Sequence, residues 1–482
     1  MVPEERIAQL KEQNALLVAE NTELKAVNEQ LLARLEKLEA ELHRHSGNSS
    51  KPPSSDTVAQ RAAQNARRAK WKKKPKAQPG KQPGSKGKHL APLADPDLVV
   101  RHVPALCPAC GAAMDQTPVV SVERRQVFDI PEPKVVVTEH LAERRRCTCG
   151  ATAAAPFPTE AQAPASWGPR VRAAATYLLV RQHLPVGRTA ELLADVMGAP
   201  VSTGWLAGVP AEAAQGLEGF LADARGRLSR APVLHVDETG ARVSGSRRWL
   251  HVASTDLVTL LHCHDKRGGE ATDALGVLPA FGGVAVHDRW KPYWRYGCTH
   301  AICGAHLLRD LGAVAEIPSQ TAWAEAMATV LLEAKQAATR AAVAGDPAVD
   351  HHEREHLRHR YDEVVAQGIA ANPTPIRWSG RTPPARQGYN LAVAVRDHKD
   401  EVLRFLDDLR VPFDNNQAER DLRMAKLQQK VSGCWRTPEG ARSFCAVRSY
   451  ISTAAKHGVH ALDVLALLFA GSPWMIPSGS PT

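Results

Sequence analysis

The chain has 482 residues, more than one core usually needs at roughly 100–200 residues per domain, so several domains are expected. Its 61 Lys and Arg exceed 51 Asp and Glu, a net of +10, yet eleven cations and no acid stand between residues 57 and 90, so the remainder is close to neutral. A one-signed stretch on a neutral body selects a polyanionic partner, and no apolar run approaches the roughly 20 residues of a membrane span.

Nine cysteines, four of them in two tight pairs, suit a reduced protein with one metal site better than a disulfide scaffold. The opening Met-Val-Pro-Glu-Glu-Arg lacks the basic-then-apolar pattern of a signal peptide. A cytoplasmic location follows as the expectation.

Residues 4–44 carry a heptad repeat with Leu10, Leu17, Leu24, Leu31 and Leu38 at d and Asn14, Asn21 and Asn28 among the a positions. Leucine at d with asparagine at a favours a parallel two-stranded coil, because each Asn needs a partner Asn across the seam. Residues 1–45 are therefore expected to form a leucine zipper and a homodimer. A Ser/Pro/Gly-rich break follows, and 46–95 reads as a disordered basic linker. Lys70, Lys72, Lys73, Lys74 and Lys76 are its candidate contacts to DNA phosphates.

Cys107-Pro-Ala-Cys110-Gly and Cys147-Thr-Cys149-Gly pair thiols with a following glycine for a tight turn. Four thiolates make a closed tetrahedral shell, which predicts one structural zinc in a β-rich module at 96–155, with a hairpin over 119–137. Residues 165–229 are helical by spacing. A helix over 188–197, the turn Gly198-Ala-Pro200 and a second helix capped by Ser202 form a candidate helix-turn-helix.

From residue 233 the pattern changes to strands. Two apolar-alternating runs end in acids, Val-Leu-His-Val-Asp237 and Val-Ala-Val-His-Asp288, and a third acid is available in Asp414-Asn-Asn-Gln-Ala-Glu419, at a helix start capped by Asp414 or Asn415. Three carboxylates can hold two divalent ions about 4 Å apart for phosphoryl transfer, and their oxygen donors favour magnesium or manganese over zinc. Residues 318–410 are Ala-, Glu- and Arg-rich with helical spacing.

The zipper, His-Ser-Gly-Asn-Ser-Ser-Lys-Pro-Pro-Ser-Ser-Asp, Cys-Pro-Ala-Cys-Gly, His-Val-Asp-Glu-Thr-Gly, His-Asp-Arg-Trp, Cys-Gly-Ala-His-Leu-Leu-Arg-Asp-Leu and Asp-Asn-Asn-Gln-Ala-Glu-Arg occur in this order. In that set the chain resembles the transposases of the insertion-sequence sixty-six family. The resemblance implies a ribonuclease-H-like catalytic domain with an Asp-Asp-Glu triad, here Asp237, Asp288 and Glu419. It also implies cleavage of element ends, joining of the 3′ hydroxyls to target DNA, and small companion proteins encoded nearby. Cys303 and His306 resemble a Cys-x-x-His signature of such enzymes and are assigned to active-site support. Arg420, Arg423 and Lys426, on the helix of Glu419, are candidate contacts to phosphates beside the scissile one.

The reading is thus a multidomain chain. Its parts are an N-terminal parallel coiled coil, a zinc-binding β-rich module, a helical helix-turn-helix region, and an α/β ribonuclease-H-like domain (230–317 and 411–470) with a helical insertion (318–410) and a tail (471–482). Its partner is double-stranded DNA, with no membrane. A retired transposase acting as a DNA-binding regulator is the alternative reading, and a structure-selective nuclease a weaker third.

Overall fold

A computed structural model describes residues 13–14, 16–25, 27–28, 31, 56–62, 90–158, 161–373 and 387–478. The chain divides into two compact units, Ala62–Val136 and the pair of segments Met1–Arg61 and Val137–Thr482. The lysines Lys70, Lys72, Lys73, Lys74 and Lys76 lie outside the described residues, as do Leu10 and Leu38 of the zipper. Leu17, Leu24 and Leu31 are helical and exposed.

In the unit Ala62–Val136, the described residues from Leu90 contain no strand. The hairpin expected over 119–137 does not form. Its alternating valines have no apolar surface to cover, and Val120 is 98% and Val127 93% exposed. The Gln126 side chain bonds both ways to the Leu93 backbone, accepting from its N–H at 2.7 Å and donating to its carbonyl at 2.8 Å. A bridge between Leu106 and Ala113 closes the turn that holds Cys107 and Cys110.

In the larger unit a short antiparallel pair, β1 (Arg144–Arg146) and β2 (Thr152–Ala154), brackets Cys147 and Cys149. Four helices follow, α1 (Pro169–Thr176), α2 (Val186–Met197), α3 (Thr203–Gln215) and α4 (Glu218–Ser229). The α2–α3 turn has the expected chemistry: Gly198 ends α2 at φ +62°, and the Ser202 hydroxyl accepts from the Trp205 N–H. Its DNA-reading role finds no support in charge. The exposed face of α3 presents Thr203, Gly204, Ala207, Gly208, Ala211 and Glu212, with no cation among them.

A five-stranded sheet forms the centre, in the order β5-β4-β3-β6-β7. Its strands are β3 (Val233–Val243), β4 (Ser246–Ser254), β5 (Thr259–His264), β6 (Val284–His287) and β7 (Thr299–Ile302), with α5 (Gly269–Leu275) crossing from β5 to β6. β3, β4 and β5 are antiparallel neighbours, whereas β6 and β7 run parallel to β3. β3 does not stop at Asp237 as expected; it continues six residues to Val243. Thr-Gly-Ala-Arg-Val extends the strand up to Ser244-Gly245, whose φ values of +50° and +75° are those of a two-residue type I′ hairpin turn.

Helix α6 (Gly304–Val314) leads from the sheet into a helical block, α7 (Thr321–Ala344), α8 (His351–Ala370), α9 (Gln387–Asp397) and α10 (Lys399–Asp407). The block packs around Trp323, Met327, Leu331, Tyr361, Leu403 and Leu406, a core continuous with Ile302 of β7, Leu307 and Leu311 of α6, and Phe413. The chain returns to the sheet as α11 (Asn416–Ser432), α12 (Pro438–Lys456) and α13 (Ala461–Phe469). Helix α12 covers the edge strand β5: Thr259 N–H donates to Thr453 Oγ1 at 3.0 Å, and Leu261 N–H to Ser449 Oγ at 2.8 Å. Buried hydroxyls one turn apart thereby satisfy an edge that would otherwise offer itself to another chain.

Candidate active site

The parallel register pairs His235 with Val286. Asp237, two residues further along β3, and Asp288, one residue past the end of β6, are thereby brought near each other, close enough that the Asp288 charge acts on Asp237. Asp237 lies within β3 and Asp288 just past the end of β6. The Asp237 Oδ1 accepts from Glu238 N–H at 2.8 Å, and the Asp288 Oδ1 from Trp290 N–H at 3.0 Å. Burial pushes the Asp237 carboxyl well above the usual carboxylate range, and the charges of Glu238, Asp288 and Glu419 push the same way.

Glu419 comes from the first turn of α11. Asn415 occupies the N-cap position, but its side chain does not cap. Instead Asn415 Nδ2 donates to the Val236 carbonyl at 2.8 Å and Asn415 Oδ1 accepts from His235 Nδ1 at 2.8 Å. The carboxylate of Asp414 accepts from Asn416 N–H in its place. Asn415 thus ties the start of the Glu419 helix to the strand of Asp237, through a contact that sequence reasoning missed.

Cys303 and His306 stand in different surroundings. Cys303 is fully buried at the N-cap of α6, and its Sγ accepts the Asn415 N–H at 3.1 Å. Burial pushes its thiol up to about 11, so it stays protonated and is no nucleophile. The His306 Nε2 lies 3.6 Å from Glu419 Oε1, while its Nδ1 is buried and, among the described residues, without a hydrogen-bond partner. Burial lowers the His306 pKa, outweighing Asp288 and Glu419, which favour its charged form.

Three further residues, Glu238, Arg267 and Tyr293, brace the acids; Glu238 lies within the His-Val-Asp-Glu-Thr-Gly motif, and no motif marked Arg267 or Tyr293. The side chain of Glu238 is 1% exposed; its Oε2 accepts from Tyr293 Oη at 2.5 Å and its Oε1 from Arg267 Nη2 at 2.6 Å. Arg267 is held over the rings of Trp290 at 4.2 Å and Trp249 at 4.9 Å. Since Trp290 and Tyr293 lie two and five residues after Asp288, this cluster fastens the loop of one acid to the strand of the other. Arg289 takes φ +75° between them, a conformation unfavourable outside glycine, and is pinned by an ion pair to Asp310.

The donor type, carboxylate oxygen, is the kind a hard cation takes. Asp288 and Glu419 are near enough to act electrostatically on Asp237, and neither Asp237 nor Asp288 has an ion pair among the described residues. Among those residues no three His, Cys, Asp or Glu side chains are gathered tightly enough to hold a metal ion as they stand. The cysteine turns suit thiolate ligation separately. Gly111 at φ +72° and Gly150 at φ +92° close them, and neighbouring backbone N–H groups lower the Cys107 and Cys147 thiols.

Comparison with known families accounts for most of the chain. Residues 164–443 match the model described as Transposase IS66 family. The chain belongs to the IS66 transposase family. Residues 104–150, which include both cysteine pairs, match the zinc-finger binding domain of transposase IS66 and support zinc binding by this transposase. Residues 2–91 match a family of unknown function (DUF6444). No curated protein matches the chain. Membership implies a DNA-processing function. Among the described residues no helix of this transposase is long and apolar enough to cross a membrane.

Proposed function

We propose that this IS66-family chain cuts the ends of its mobile element and joins the freed 3′ hydroxyls to target DNA, with Asp237, Asp288 and Glu419 as the catalytic acids. The nearness of Asp237 to Asp288 at the parallel β3–β6 pair carries the reading, with the Glu419 helix tied to β3 through Asn415. The sheet order, three antiparallel strands continued by two parallel ones, supports a ribonuclease-H-like domain.

The three carboxylates would hold two magnesium or manganese ions, which when bound supply the Lewis acidity that in-line phosphoryl transfer needs. Cys303 and Asn415 position Glu419 against β3. His306, whose burial favours the neutral imidazole, stands 3.6 Å from Glu419. Arg420, Arg423 and Lys426 are exposed on α11 and contact the flanking phosphates. Cys107, Cys110, Cys147 and Cys149 hold one structural zinc, a role supported by the family match that spans both pairs. The leucines at d, of which Leu17, Leu24 and Leu31 are exposed, pair two chains so that two element ends are processed together, and companion proteins encoded nearby assist.

Strand-cleavage and strand-transfer assays on linear DNA carrying the element's ends test the reading. Asp237→Asn, Asp288→Asn and Glu419→Gln should each abolish both reactions while end binding persists. Cleavage within roughly tenfold of the wild type, about 1.4 kcal/mol in barrier, would remove that residue from the triad.

A further inference from the structure

The helix that carries Glu419 presents more than the catalytic acid. Residues 418, 422, 425 and 429 form its packed row: Ala418, Leu422 and Ala425 are buried, and the Gln429 Oε1 accepts the Arg242 N–H at 2.9 Å. Offset by one residue runs a second row, Glu419, Arg423, Lys426 and Lys430, at spacings of four, three and four that keep it on one face. Its three cations are exposed.

The packed row ends at the β3–β4 hairpin, so the cationic row runs toward that hairpin. Its tip is fastened there. Val243 makes a parallel bridge to Trp435, Ser244 N–H donates to the Trp435 carbonyl at 2.9 Å, and Ser244 Oγ donates to the Arg436 carbonyl at 2.7 Å. Trp435 is buried against Phe444, with ring centroids 5.1 Å apart. The tip adds three exposed cations, Arg242 and Arg247, which are register partners, and Arg436. Among the described residues none of these six cations has a carboxylate partner, although nearby Arg248 pairs with Asp265 and Arg442 with Glu439. An unneutralised row on a rigid frame loses little entropy on binding a polyanion and gains its counterions.

We propose that the α11 face and the β3–β4 hairpin form one phosphate track for duplex DNA, with Lys430, Arg242, Arg247 and Arg436 gripping the backbone away from the scissile bond. The inference rests on the catalytic assignment of Glu419. At 1.5 Å per residue, Glu419 and Lys430 are about 16 Å apart along the helix, and one strand of B-DNA advances about 3.4 Å per phosphate. The grip therefore falls roughly five nucleotides from the cleavage point, about half a turn of duplex.

The test is the full-length chain with Arg242, Arg247 and Arg436 all changed to Gln, and a second variant, Arg247→Glu. All three side chains are exposed and the hairpin's bonds are made by backbone, Ser244 and Gln429, so folding should persist and circular dichroism checks it. Affinity for a mixed-sequence duplex is measured against salt concentration. Each lost phosphate contact should flatten the log–log slope by about 0.9, so the triple variant should lose about 2 to 3. Ethylation interference on a duplex carrying the element end should show a phosphate signal roughly five nucleotides from the cut in wild type that the triple variant lacks. An unchanged slope with an unchanged interference pattern overturns the track. Asp237→Asn separates the two readings, because it should keep both the slope and the interference signal while losing cleavage. If it cleaves, the catalytic assignment fails by itself.

Discussion

Replacing Arg267 with Ala should uncouple the two strands that carry the aspartates. The guanidinium, with 39% of its side chain exposed, is the ionic partner of Glu238, whose carboxylate is 1% exposed. Removing one member of a buried pair typically costs 3–5 kcal/mol, but solvent reaches Arg267 and Tyr293 still donates to Glu238, so about 2 kcal/mol is expected from the ion pair. Stacking over Trp290 and Trp249 adds roughly 0.5–1 kcal/mol per ring. The loss should total about 3 kcal/mol and be local.

In a chain of several folding units, the opening free energy of the β3 amides is the quantity to follow, by native-state hydrogen exchange. Glu238→Gln removes the orphaned charge, so in that background Arg267→Ala should cost about 1–2 kcal/mol less. A double-mutant coupling below about 0.5 kcal/mol would refute the idea that the ion pair, rather than ring packing, ties the loop of Asp288 to β3.

Cys303→Ala leaves the buried Asn415 N–H without an acceptor, worth about 1–3 kcal/mol, and should lower cleavage more than DNA binding; Cys303→Ser, which restores an acceptor, should recover part of it. Burial pushes His251 and His262 down to about 4 from an ordinary 6.5, so the unfolded chain takes up protons that the fold refuses. Stability should therefore fall as pH drops from about 6.5 to 4, by at most about 1.4 kcal/mol per unit for each ring, and His251→Gln should flatten the melting temperature against pH. Cys107→Ser should release the one structural zinc and open 100–155 to proteolysis while the sheet stays folded; elemental analysis finding no zinc in the wild type would remove that assignment.

Elements set by local chemistry were legible in the chain. The alternation of residues 233–237, the Ser202 cap, the left-handed Gly198 and the apolar run before Asp288 each depend on a few neighbouring residues. What escaped was decided across the fold. Asn415 has a capping residue's identity and position, yet its amide is consumed by His235 and Val236, some 180 residues away in sequence. The valines over 119–137 alternate as a strand would, but alternation needs an apolar surface beneath it. No role was legible for Glu238, because its partners Arg267 and Tyr293 come from loops after β5 and β6. For the α2–α3 pair the turn chemistry was right and the DNA role was not supported, since a cap specifies a helix start and says nothing about the charge of the outward face.

The distance of 131 residues between Asp288 and Glu419 becomes intelligible from where the helical block enters and leaves the sheet. Its entrance and exit are laced side by side: Gly304 N–H donates to the Phe413 carbonyl at 2.8 Å, and Arg404 Nε to the His300 carbonyl at 2.8 Å. Gly304 is required there by close approach, since a Cβ at this position would lie 2.3 Å from the Phe413 ring. With Cys303 accepting the Asn415 N–H one residue earlier, the chain leaves β7 and returns to α11 through the same few ångströms. The excursion is closed, and its core around Tyr361 and Leu403 continues through Ile302 and Phe413 to the two ends of the lacing. Loop-closure entropy grows only as the logarithm of the excursion's length, so the block's size has little bearing on the position of Glu419. The short lacing at Cys303, Gly304, Phe413 and Asn415 sets it.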